Sequence, residues 1–119
     1  MSAGNYNFTI EQGANFSKTL TWKTSGGVSI DIGGYTIRMM ARRDYKDTTP
    51  VISLSTVNPP GGITIAGTGS TGQFDITMSA TVTAALDFST LQYDIEMVKS
   101  GKVTRLLEGM ITLSKEITK

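Results

Sequence analysis

Apolar and polar residues alternate with a period of two in run after run of this chain, and glycines close nearly every run. In residues 16–23, Phe16, Leu20 and Trp22 fall on one side, with Ser17, Thr19, Thr21 and Lys23 on the other. In residues 35–43, Tyr35, Ile37, Met39 and Ala41 oppose Thr36, Arg38, Met40 and Arg42. Residues 73–79 turn Phe74, Ile76 and Met78 one way, and residues 90–99 turn Leu91, Tyr93, Ile95 and Met97 away from Gln92, Asp94 and Glu96. Successive side chains of a strand point to opposite faces of a sheet, so each run has one face to bury. Many short runs of this kind, each ended by a turn, predict an all-β sandwich or barrel.

Shorter pieces complete the pattern. Residues 5–10 read as a first strand with Tyr6, Phe8 and Ile10 on one face; 28–32 and 51–56 are brief strands, and 63–65 is an edge piece. The last strand runs over 103–113, where Gly109 interrupts the alternation and is expected to mark a bulge. Turns are predicted at Thr24-Ser25-Gly26-Gly27, Gly33-Gly34, Asn58-Pro59-Pro60-Gly61-Gly62, 67–72 and Ser100-Gly101-Lys102, because glycine supplies the positive φ of tight hairpins. Lys18 falls on the apolar side of its run, which places it near a strand end with its stem over the core. Residues 79–86 alone have helical character, with Ser79 as the cap. The expected fold is an immunoglobulin-like β-sandwich of seven or eight mostly antiparallel strands, with one short helical turn near 80–86. Its 119 residues suit a single domain over 1–119.

The composition narrows the function. The chain has no histidine and no cysteine, which removes the commonest general base, the commonest metal ligand and the most reactive nucleophile. Disulfides are excluded as well, so the core alone must hold the fold. Eleven basic and ten acidic residues leave a formal charge of +1, too little for a general nucleic-acid or anionic-membrane field. No charged segment followed by an apolar run opens the sequence, and no apolar run approaches the ~20 residues that span a bilayer. A soluble protein made in the cytoplasm is expected.

Candidate sites are few. Asp75, Asp94 and Glu96 lie on polar strand faces, where solvated side chains are the ordinary outcome. Asp44 and Asp47 share a loop, but two carboxylates without a third make a weak calcium site. Asp31, ahead of Ile32-Gly33-Gly34, reads as a turn former. Gly67-Thr68-Gly69-Ser70-Thr71-Gly72 fits a loose phosphate-loop pattern, yet a strand follows where a helix is needed, so the match is accidental. No catalytic residue, cofactor or metal is expected. The dense basic group is Arg38, Arg42, Arg43 and Lys46, with Arg38 and Arg42 set to pair across strands with Asp94 and Glu96. Met40 stands outward beside the arginines, a contact-surface signal, and Met110 is a second outward candidate. Tyr45 and Phe88 sit in loops, where each either anchors a partner or plugs an open end. The candidate interface is therefore Arg38, Met40, Arg42, Arg43, Tyr45 and Phe88.

The order of segments carries a resemblance. Ile10-Glu11-Gln12-Gly13, then Phe16 with Leu20-Thr21-Trp22, a glycine turn, and Ile30-Asp31-Ile32-Gly33-Gly34-Tyr35-Thr36-Ile37-Arg38-Met39 resembles a family of small tailed-bacteriophage virion proteins. It is also similar to the immunoglobulin-like N-terminal domain of phage upper baseplate proteins. Further matching pieces are Gly72-Gln73-Phe74-Asp75-Ile76-Thr77, residues 79–86, Tyr93-Asp94-Ile95-Glu96 and Thr104-Arg105-Leu106-Leu107-Glu108-Gly109. Baseplate members carry further domains after the sandwich, whereas this sequence ends at Lys119. The resemblance thus implies a non-enzymatic structural or accessory protein of the virion, docking on tail, baseplate, neck or capsid surface. Other phage structural proteins would be its partners, in several copies or as a homo-oligomer, with no nucleic acid and no membrane. The first strand and the last are the expected docking edges. The alternative is a carbohydrate- or cell-surface-binding module, against which the alternation sets Trp22 inward; Tyr45, Phe88 and Tyr6 are the aromatics left for a sugar.

Overall fold

In the computed structural model, residues 4–24, 26–57 and 61–117 are described. The first three residues, Ser25 of the glycine turn, the break at Asn58-Pro59-Pro60 and the end at Lys119 lie outside them. The alternating runs form β1 (Gly4–Asn5), β2 (Phe8–Glu11), β3 (Phe16–Thr21), β4 (Thr36–Arg42), β5 (Ile52–Ser55), β6 (Ile63–Ile65), β7 (Gln73–Met78), β8 (Thr90–Lys99) and β9 (Lys102–Ser114), with one helix, α1 (Ala80–Ala84). One sheet has the order β1-β9-β8-β4-β5 with β2 also on β9, and the second has the order β3-β7-β6. The N-terminal strands run parallel to β9, and the other strand pairs are antiparallel. This is an all-β sandwich, as expected.

The inward positions read from the alternation meet between the sheets. Ile37, Met39, Ala41, Phe74, Ile76, Ile95 and Met97 are sealed from solvent, and Ile10, Ile32, Leu91 and Ile111 join them. Phe8 stacks on Phe16 with ring centres 5.4 Å apart and meets Tyr93 edge-on at 5.0 Å. Lys18 lies in the middle of β3 rather than at its end, paired with Ile76. Its amine is held 4.9 Å from the centre of the Tyr6 ring, so an aromatic face takes the part expected of water.

Several expectations need correcting. The first strand is split: Tyr6 and Asn7 leave the ladder between β1 and β2, although the register resumes unchanged, with Asn5 beside Glu108 and Phe8 beside Ile111. The cause is Gly109. A side chain there would overlap the Tyr6 carbonyl and crowd Asn7, so the glycine lets the N-terminal strand pass close over β9. The bulge is elsewhere, between Ile95 and Glu96 of β8, which pair with Leu107 and Arg105 and leave Leu106 as the extra residue. Residues 28–32 give only an isolated bridge, Ser29 to Lys23. The last strand is no edge, because β1 and β2 cover it.

The two ends of the sandwich differ. At one end α1 is capped by Ser79, whose side chain accepts from the Val82 N–H, as the sequence predicts. Thr83 is fully buried there; its hydroxyl donates to the Ala14 carbonyl and accepts from the Gly13 N–H. The Gln12 amide donates to the Leu86 carbonyl, tying the β2–β3 turn to the same place. Phe88, at 2% exposure, and Leu86 fill that end. Phe88 is therefore a plug and leaves the candidate interface.

Candidate functional site

The outward side chains of β4, β8 and β9 form one face of the larger sheet. Register fixes who meets whom: Arg38 lies opposite Glu96, Met40 opposite Asp94, Arg42 opposite Gln92, Gln92 opposite Met110 and Asp94 opposite Glu108. The face is concave. A groove of about 690 Å³ runs along it, with Met40, Arg42, Asp94, Arg105 and Met110 among its lining and Tyr45 at its rim. Tyr45 is 75% exposed and Met110 47%, so both present apolar surface to solvent.

The expected ion pairing is half realised. Arg38 Nη2 lies 2.7 Å from Glu96 Oε1, and its Nε also donates to that oxygen. Both side chains are partly in water, which limits the pair to about 0.2–1 kcal/mol. Arg42 makes no ion pair among the described residues; one of its amino groups lies 3.6 Å from Met40 Sδ. Asp94 instead meets Arg105 of β9 at 3.4 Å, a partner the sequence reading did not name. Burial pushes the Asp94 carboxyl above the ordinary aspartate range and the Glu96 carboxylate adds to this, while Arg105 and Arg42 only partly offset it. The groove thus holds an acid that a docked cation would relieve, beside an arginine with no carboxylate of its own.

No family model and no curated protein matches this chain. The reading of the site therefore rests on its own geometry. Met40, Arg42 and Tyr45 come together in the groove with Met110, while Arg38 lies just outside it, clasping Glu96. Arg43 turns away and donates to the Asp87 carbonyl at 2.6 Å, next to the Lys115–Asp87 pair, which holds the Asp87 carboxyl below its usual range. Sequence reasoning missed Arg105, Glu108, Asn5 and Asn7 as groove residues, because their placement depends on the Leu106 bulge and on the Gly109 approach.

The remaining candidates resolve into turns. The Asp31 carboxylate accepts from the Gly33 N–H at 2.8 Å, as expected of a turn former. Asp44 accepts from the Lys46 N–H and Asp47 from the Asp44 N–H, so these carboxylates stabilise the loop's own backbone. In the 67–72 loop, Gly69 and Gly72 sit against the backbone of residues 32–33 and of Trp22 and Ile30, where a side chain would collide. Packing accounts for those glycines. Among the described residues, no helix is long and apolar enough to cross a membrane. Trp22 faces inward and packs against the core as the alternation sets it, but it is only partly buried and also lines an open pocket at the end of the sandwich away from α1.

Proposed function

We propose that this chain is a non-enzymatic structural or accessory protein of a tailed-bacteriophage particle, docking on the tail, baseplate, neck or capsid surface in several copies. The phage assignment is supported by the resemblance of the segments quoted above. Docking is supported by one structural observation, the concave outer face of the larger sheet. That face combines two methionines, an exposed tyrosine and charges of both signs, the residue chemistry of a protein contact surface. Mixed charge favours a protein over a polyanion, since Asp94 and Glu108 would repel the latter. The outer edge of the smaller sheet suits the same role, because β6 ends that sheet and can take a neighbouring strand.

The test is co-sedimentation of the purified protein with particles or tails of its source, using wild type and a Tyr45→Ala/Met110→Ser double variant. Saturable binding by the wild type, weakened tenfold or more in the variant, is the expected result. Binding that ignores the variant removes the groove from the reading, and no binding at all removes the reading.

A further inference from the structure

The end of the sandwich away from α1 is open, and its lining differs in chemistry from the groove. Trp22 follows β3, Tyr35 precedes β4, Lys99 ends β8, and Lys102 and Thr104 begin β9; with Ser100 they surround a pocket of about 530 Å³. Lys99 and Lys102 are direct cross-strand partners, on either side of a turn in which Ser100 and Gly101 both have positive φ. Like charges facing each other across a hairpin are destabilising. No acid lines this pocket, and neither lysine makes an ion pair among the described residues. Lys99 instead rests its amine 5.2 Å from the centre of the Tyr35 ring. Trp22 and Tyr35 stand nearly perpendicular, at 85° with centres 5.6 Å apart.

We infer that this pocket binds an acidic saccharide, with the carboxylate or phosphate on the Lys99 and Lys102 amines and the sugar ring in the corner made by Trp22 and Tyr35. Two lysines paired across the hairpin without a counter-charge call for an anion, to which their amines can give charge-assisted hydrogen bonds. Aromatic faces carry negative charge density and attract the C–H groups of a sugar. A corner of perpendicular rings suits a puckered ring that presents C–H groups on two sides, whereas a flat nucleobase is best held on parallel faces. The volume lies within the ~300–1,000 Å³ of small-molecule sites. The inference is independent of particle docking, since the groove rim at Tyr45 lies beyond the other end of β4. It deepens the carbohydrate alternative by naming the ligand class and its place.

Trp22 is the one tryptophan in the sequence, so its emission reports on this pocket alone. The full chain is screened on an array of sialylated, uronate-bearing, phosphorylated and neutral glycans, and the best acidic glycan is titrated against Trp22 emission, with AMP as competitor. Acidic glycans should be retained above neutral ones, with a saturable emission change. Lys99→Ser/Lys102→Ser should weaken binding by about tenfold or more while changing the melting temperature little, because the like-charge pair and the Lys99–Tyr35 contact are lost together. Equal retention of neutral glycans overturns the acidic assignment while sparing a carbohydrate role. Displacement by AMP at similar concentration assigns the pocket to nucleotides instead. No retained glycan overturns the site and the carbohydrate alternative together.

Discussion

Tyr93→Phe probes the device that fastens the N-terminal strands. The Tyr93 ring is buried against Phe8, and its hydroxyl donates to the Tyr6 carbonyl where Tyr6 and Asn7 leave the ladder. The Tyr6 N–H is already paired with the Glu108 carbonyl, so the hydroxyl completes the backbone hydrogen bonding of that residue. Removing one neutral hydrogen bond at a part-buried site costs about 1–1.5 kcal/mol at neutral pH. Burial pushes the Tyr93 phenol up to about 12, with a smaller contribution from Tyr6. A raised pKa means the folded state keeps a proton that the unfolded state releases. The stabilisation is therefore complete below about pH 10 and is lost as pH rises through 12, at no more than about 1.4 kcal/mol per unit. Urea unfolding of wild type and variant from pH 7 to 12 checks both parts. The wild type should lead at neutral pH, and its lead should shrink above pH 10. No difference at pH 7 would refute the assigned bond, and a constant difference across that range would refute the burial that raises the phenol.

Other perturbations test separate parts of the account. Gly109→Ala should lower stability by roughly 2 kcal/mol and speed amide exchange in residues 4–11, because the new Cβ meets the Tyr6 carbonyl; unchanged exchange there would contradict the close approach. Thr83→Val keeps the shape but orphans the Gly13 N–H and Ala14 carbonyl, so denaturant melts should show a loss of about 1–3 kcal/mol. Arg38→Ala should change stability by less than about 1 kcal/mol, since its pair with Glu96 is partly exposed. Tyr45→Ala/Met110→Ser should leave the melt within about 0.5 kcal/mol of wild type while weakening particle binding.

Most of the fold was legible because burial imposes alternation. β3, β4, β7 and β8 each turn one face inward, and their inward residues could be named from the period alone. Ser79 announced α1, and the Arg38–Glu96 pair followed from placing two strands side by side. What escaped depends on contacts distant in sequence. Gly109 breaks the alternation visibly, but whether it makes a bulge or admits another strand is decided by Tyr6, about a hundred residues earlier. Phe88 lies beyond any alternating run, so its burial is set by how α1 closes the end. Trp22 keeps the inward phase of β3, yet it stands past the last paired residue, where inward means facing an open pocket. Thr83 looks like a surface helix residue until the β2–β3 turn is packed over it.

Light scattering of the purified protein, alone across concentrations and mixed with particles or tail assemblies of its source, tests the docking claim most directly. The account predicts stoichiometric association with the particle through the concave face of the larger sheet, in a copy number set by the particle's symmetry. A monomer at every concentration that leaves the particles' scattering unchanged would contradict it.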